Sequence, residues 1–257
     1  MKGLALLVSA ELLAIPLARL LICAACSFVF VASQAVFAQG GIYVVGYDIQ
    51  NAVTSGSFVQ WYNTYSGIVT PTGTMTVTLP DSVTTATLAN YSGGRGTLND
   101  GVVGIGPTDT ELFATAAQPV ITLYLDNTYT MQSINLESFS LYNVIPGNIY
   151  GVTVTINGNS EILGTSITID NANNLCSSIL DVGGSSLAGI AANQITLSDF
   201  LTSGPYSPVF CLGEIAVTGS PIPEPSAISL LGMGIVFIWL CFTKWPNTAL
   251  EPTPTAL

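Results

Sequence analysis

The sequence predicts an all-β sandwich, and three observations carry that expectation. Apolar and hydroxylated residues alternate in several short runs. Only 7% of the 257 residues are charged while 49% are hydrophobic, which suits strands and turns better than amphipathic helices. An Asn-Gly pair sits between two of the alternating runs, where a hairpin turn belongs.

The runs follow in chain order. Met75, Val77 and Leu79 alternate with threonines; Ile121, Leu123 and Leu125 alternate with Thr122 and Tyr124; Val152, Val154 and Ile156 alternate with Thr153 and Thr155. A strand places successive side chains on opposite faces, so each run puts one face in a core. Asn157-Gly158 then turns the chain into a returning strand over residues 160–169. Further strands are expected over 194–197 and 210–218. Regular spacing of such strands implies a β-sandwich.

Charge limits the partners. The chain holds 15 acidic and 4 basic residues and no histidine, for a formal charge of -11. Arg95 is the one cation between residues 39 and 222, a span that holds 12 carboxylates. Such a surface repels phosphate backbones, which argues against nucleic acid and leaves cations, neutral glycans or proteins. Without histidine the Ser-His-Asp and Cys-His arrangements are absent. "SGGRGT" around Arg95 lacks the Lys-Ser/Thr ending of a phosphate loop and reads as a flexible turn. Asp109 and Glu111 would share a strand face as a glycosidase pair requires, but no motif places them in a cleft. The expectation is a non-enzymatic protein.

Both ends differ from the body. Residues 1–38 read as a signal peptide: Lys2, a long apolar stretch to Val31, and Val36 and Ala38 as the small residues before cleavage after Ala38. An uncleaved N-terminal anchor is the alternative. Cys23-Ala24-Ala25-Cys26 lacks the leucine-like residue of a lipoprotein site. At the other end, residues 226–242 carry no charge and as a helix would span about 25 Å, slightly short of a hydrocarbon core of about 30 Å. Lys244 and Trp245 stand where a snorkelling cation and an interfacial aromatic belong. Pro221, Pro223 and Pro225 make the preceding segment an extended linker.

Pro223-Glu224-Pro225, Ser226, the Leu-Leu-Gly-x-Gly core of "ISLLGMGIVFIWL" and the following basic residue resemble the PEP-CTERM sorting signal of bacterial exported proteins. That resemblance implies recognition by an exosortase, a membrane transpeptidase. It implies transient anchoring in the inner membrane through the C-terminal helix, and a destination at the envelope, the outer surface or an extracellular, polysaccharide-rich matrix. The family usually closes on an arginine-rich cluster, whereas residues 246–257 here are Pro/Thr-rich and read as a disordered tail.

The body carries a second resemblance. "LNDGVVG", "TDTELFATAAQPVITLYLDNTYTMQSINLES", "GVTVTINGNSEI" and "LGEIAVTG" are similar to the galactose-binding-like, or discoidin-type, jelly roll over residues 72–219, with 39–71 a β segment packed on or preceding it. The resemblance implies binding rather than catalysis. It also implies a structural calcium held by Asp100 of the Asp-Gly turn and Glu214 of the final strand, and the loop "NDGVVGIGPTD" adds Asp109 and bent-backbone carbonyls. Asp-Gly is equally an ordinary turn.

Two further features stay open. Cys176 and Cys211 are the body's only cysteines; in an exported protein they would close a loop of about 35 residues worth roughly 4 kcal/mol, and otherwise they are two buried thiols. Trp61, Tyr62, Tyr142 and Tyr206, with Tyr65, are candidate glycan contacts, although "FVQWYNTY" equally fits a strand with its rings in the core. These readings converge on an exported structural or adhesive protein associated with exopolysaccharide. A carbohydrate-binding module is the first alternative and a secreted glycoside-active enzyme the second.

Overall fold

The computed structural model describes residues 42–54, 64–80, 82–139, 148–204, 206–222, 232, 234, 235, 237 and 238. The signal peptide, Pro223-Glu224-Pro225, Trp61, Tyr62, Tyr142 and the 246–257 tail lie outside them. Two compact units divide at Pro221. In the second unit Gly232, Gly234, Ile235, Phe237 and Ile238 are helical and exposed. Among the described residues no helix is long and apolar enough to cross a membrane.

The first unit is all-β, as the alternation predicts. Its strands are β1 (Val44–Val53), β2 (Ile68–Leu79), β3 (Ser82–Gly94), β4 (Glu111–Ala114), β5 (Val120–Phe139), β6 (Asn148–Ile156), β7 (Asn159–Asp170), β8 (Leu175–Asp181), β9 (Ala191–Ser203), β10 (Val209–Leu212) and β11 (Glu214–Pro221). All pairings between them are antiparallel. The ladder closes on itself: β5 pairs β8, β8 pairs β7, β7 pairs β6, β6 pairs β9, and β9 returns to β5.

β5 makes closure possible because it is long enough to serve two partners in succession. Its first half pairs with β9 through Ile121↔Leu197 and Leu123↔Ile195, and its second half pairs with β8 through Ile134↔Leu180 and Leu136↔Ser178. It also pairs with β1 over residues 120–125 and with β11 over residues 129–137. β1 in turn carries β3 and β4, and β4 carries β10. The segment before residue 72 therefore contributes a strand to the sheet itself.

The strands stack over one apolar core that defines a β-sandwich. Ile121, Leu123, Val152, Val154, Ile156, Ile195 and Leu197 from the expected strands are wholly buried, as are Ile134 and Leu136, whereas of Met75, Val77 and Leu79 only Val77 is buried. Asn157 and Gly158 both adopt positive φ, 50° and 79°, so the β6–β7 turn uses the residue pair that tolerates this conformation. The expected final strand is broken in two at Gly213. A Cβ there would stand 2.6 Å from the Gly104 backbone nitrogen, and the Gly213 N–H donates to the Glu137 carbonyl at 2.8 Å.

A smaller apolar cluster beside the main core contains Val53, Val77, Leu112, Phe139 and Cys211. Here the disulfide reading needs correction. Cys176 and Cys211 are both free and buried. The Cys211 thiol donates to the Phe139 carbonyl at 3.5 Å, and the Ser138 hydroxyl donates to the Cys176 backbone carbonyl at 3.2 Å. Burial pushes the Cys211 thiol up to about 12 and raises Cys176 as well. Both thiols therefore stay protonated and unreactive at neutral pH. Alkylation at pH 8 is expected to spare both in the native protein and to label both after denaturation without reductant, read by peptide mass mapping. A Cys176–Cys211 crosslink in the denatured, unreduced sample would restore the disulfide.

Candidate functional site

The loop that leaves β3 organises one face of the sandwich. Leu98 is fully buried and acts as the plug of this loop. The Leu98 carbonyl accepts the Ile215 N–H at 3.0 Å, tying the loop to β11. Asn99 ties it to β1, because its side-chain amide donates to the Val44 carbonyl at 2.9 Å while its Oδ1 accepts the Gly96 N–H at 2.9 Å. Gly96 is required for the close approach, since a Cβ there would fall 1.6 Å from the Thr64 carbonyl oxygen.

Asp100 and Glu214 meet across this loop. Gly101 adopts φ +79°, a conformation suited to glycine, and its N–H donates to Glu214 Oε2 at 2.9 Å. The Val102 N–H donates to Asp100 Oδ1 at 2.9 Å, which fixes the turn. Both carboxylates line a concavity of about 390 Å³ together with Ile42, Tyr43 and Asn99. Glu137 lies directly across the ladder from Glu214. Burial pushes the half-buried Glu214 carboxyl up to about 7, and the charges of Asp100 and Glu137 push in the same direction, opposed by the backbone N–H groups of Gly101 and Asp100.

The donor chemistry fits a hard cation. The groups are oxygens, and the charge of Asp100 opposes ionisation of Glu214. Asp109 stands apart in the 3-10 turn Pro107–Asp109, where its side chain accepts the Thr108 hydroxyl at 3.1 Å. Among the described residues no three Asp, Glu, His or Cys side chains gather as a metal set. Any calcium here would rest on Asp100, Glu214 and backbone carbonyls.

The aromatic candidates separate. Tyr206 is half-buried and packs against the smaller apolar cluster. Tyr65 packs against the main core, its ring 5.1 Å from Tyr47 and 5.0 Å from Tyr91, and its hydroxyl donates to the Tyr47 carbonyl at 2.8 Å. Tyr43, a ring that the sequence does not single out, is exposed at 71%. It shares a concavity of about 600 Å³ with Arg95, Thr64, Ser66, Asn99 and Asp100. Arg95 also lines an adjoining concavity of about 500 Å³ with Val45, Gly46 and Tyr124. The signal for Arg95 was in the composition: it is the lone cation of the body.

The Asp109/Glu111 pair does not form a shared face. Glu111 is buried on β4 with the Tyr91 hydroxyl 3.4 Å from its Oε1, whereas Asp109 is half-buried and lies off the strand in the 3-10 turn Pro107–Asp109.

No family model and no curated protein matches the sequence. Among solved structures, the chain is similar to a GH31 CBM32-2 module bound to GalNAc, at 12% identity over 61% of this chain and 97% of that one, TM-score 0.32. It is similar to the CBM32-5 module of CpGH89 from Clostridium perfringens in complex with GalNAc-β-1,3-galactose, at 15% identity over 47% and 80%, TM-score 0.30. Against SpGH29 the values are 16% identity, 49% of this chain, TM-score 0.30, and this chain spans 24% of that protein. Likenesses of this depth leave function to be argued from the chain's own residues.

Proposed function

We propose that the protein is an exported, non-enzymatic component of the cell envelope or extracellular matrix, sorted through an exosortase-type transpeptidase, with a body that contacts exopolysaccharide. The observation that carries the sorting half is the sequence at the two ends: an apolar leader ending in Val-Phe-Ala at the start, and Pro-Glu-Pro, an uncharged run and a lysine near the finish. The galactose-binding-like reading of the body belongs to the same proposal.

For the contact with glycan, the support is the face built by β1 and the loop after β3. An exposed tyrosine ring offers an apolar platform, and arginine, serine, threonine and aspartate beside it offer hydrogen bonds in a concavity of about 600 Å³. Calcium, if held by Asp100 and Glu214, would pin this loop to β11 as a structural ion.

A glycan array probed with the full chain tests the reading. Binding to polysaccharide fragments without their cleavage is the expected result. Turnover of any bound fragment would favour the glycoside-active alternative, and no binding to any glycan would remove the contact with exopolysaccharide.

A further inference from the structure

We infer that the face around Arg95 takes a sparsely acidic glycan: one uronic acid seated on the arginine, with neutral sugars on either side. The inference rests on the glycan-contact reading above and names its chemical class.

Arg95 is placed for this role by its backbone. Its N–H donates to the Ser66 hydroxyl at 3.0 Å, and its carbonyl accepts the Ser66 N–H at 2.8 Å and the Ser66 hydroxyl at 3.1 Å. These bonds hold the main chain and use no atom of the guanidinium. In a body with 12 carboxylates, Arg95 forms no salt bridge with any of them among the described residues. The five N–H donors of the side chain are arranged to take a carboxylate through two parallel bonds.

The surroundings fix the spacing of charge on the ligand. Arg95 and Ser66 belong to both concavities, of about 600 and 500 Å³, so a chain crossing the arginine has room for a unit on each side. Tyr43 gives one side an exposed ring for the apolar face of a sugar. Asp100 shares that side and Asp48 bonds to Tyr124 on the other, its Oδ2 accepting the tyrosine hydroxyl at 2.7 Å. Asp100 accepts sugar hydroxyls, and both carboxylates repel a second uronate. The net charge of -11 repels a fully uronate polymer as a whole. One acid per several sugars satisfies the arginine without meeting that repulsion.

The test is binding of the full chain to an array that presents three classes of oligosaccharide: neutral, singly uronic-acid-bearing, and fully uronate such as tetragalacturonate. The singly acidic class is expected to bind best. Arg95→Ala is expected to weaken it at least tenfold while leaving neutral binding within twofold, and Tyr43→Ala to weaken both classes. Unchanged melting temperatures for both variants would show that folding is intact; if Arg95→Ala unfolds, Arg95→Gln and the wild-type class preference decide. Neutral binding alone, or equal binding before and after loss of Arg95, would overturn the inference while glycan contact stands. Preference for the fully uronate class would also overturn it. No binding in any class would overturn both.

Discussion

Replacing Phe210 by alanine is expected to lower the unfolding free energy by about 3–5 kcal/mol, the usual cost of removing a phenylalanine from a packed core. Phe210 is wholly buried on β10, a strand of four buried residues. Its ring stacks on Phe113 at 5.0 Å and on Phe200 at 4.7 Å, so one side chain joins β10 to β4 and β9. β10 is hydrogen-bonded to β4, itself only four residues long, which leaves side-chain packing as the main force holding this corner. Domains are commonly stable by about 5–15 kcal/mol, so the loss takes a large share of the total. Urea unfolding measures it. Phe210→Leu should lose less, because it fills most of the cavity; a Phe210→Ala loss below about 1 kcal/mol would mean that the stack does not carry β10.

The second large effect is a stability that falls as pH rises. The Glu214 carboxyl is pushed from 4.5 up to about 7, with burial as the leading cause and Asp100 and Glu137 adding to it. The folded state therefore binds this proton more tightly than the unfolded state. The penalty for ionising the group is absent below pH 4.5, grows from there to about pH 7, and is complete above it. A full linkage over that shift is about 3 kcal/mol; for a half-exposed group, solvent screening leaves about 1–2 kcal/mol. Glu214→Gln removes the penalty. Its melting temperature should exceed that of the wild type at pH 8 and match it at pH 4, and the difference between the two profiles isolates this residue from the other carboxylates.

The same site predicts an effect of calcium. A cation that binds the ionised Asp100 and Glu214 stabilises the folded state by mass action. Millimolar calcium at pH 8 should raise the wild-type melting temperature, EDTA should reverse the gain, and Glu214→Gln should show little of it. A melting temperature indifferent to EDTA and to calcium would mean that no ion sits here, and the pH profile of Glu214 would still stand.

Much of the fold could be read before the structure, because alternation reports burial directly. Val152, Val154 and Ile156 are buried as their period requires, and Asn157-Gly158 turns where its conformational tolerance says it should. The full extent of β5 was hidden. Asp126-Asn127-Thr128 interrupts the alternation after Leu125, yet the strand continues to Phe139 by slipping register between Tyr124 and Tyr129. The break at Gly213 was hidden for another reason: it depends on a close approach by Gly104 from a distant loop.

The candidate site divides in the same way. Asp100 and Glu214 were named through a motif resemblance, and the Gly101 N–H joins them in space. The pairing of Tyr43 with Arg95 had no local signal. One residue precedes the first strand and the other follows the third, and they meet because β1 lies beside β3. Cys176 and Cys211 are free and buried, which spacing along the chain cannot show.

Export with processing at both ends, as proposed above, would leave defined mature termini. Intact and peptide-level mass spectrometry of the protein recovered from its host tests that most directly. The expected mature protein begins at Gln39 and ends at or near Pro223-Glu224-Pro225, with residues 226–257 missing. A chain that retains residues 1–38 or carries the uncharged 226–242 segment in its mature form would contradict it.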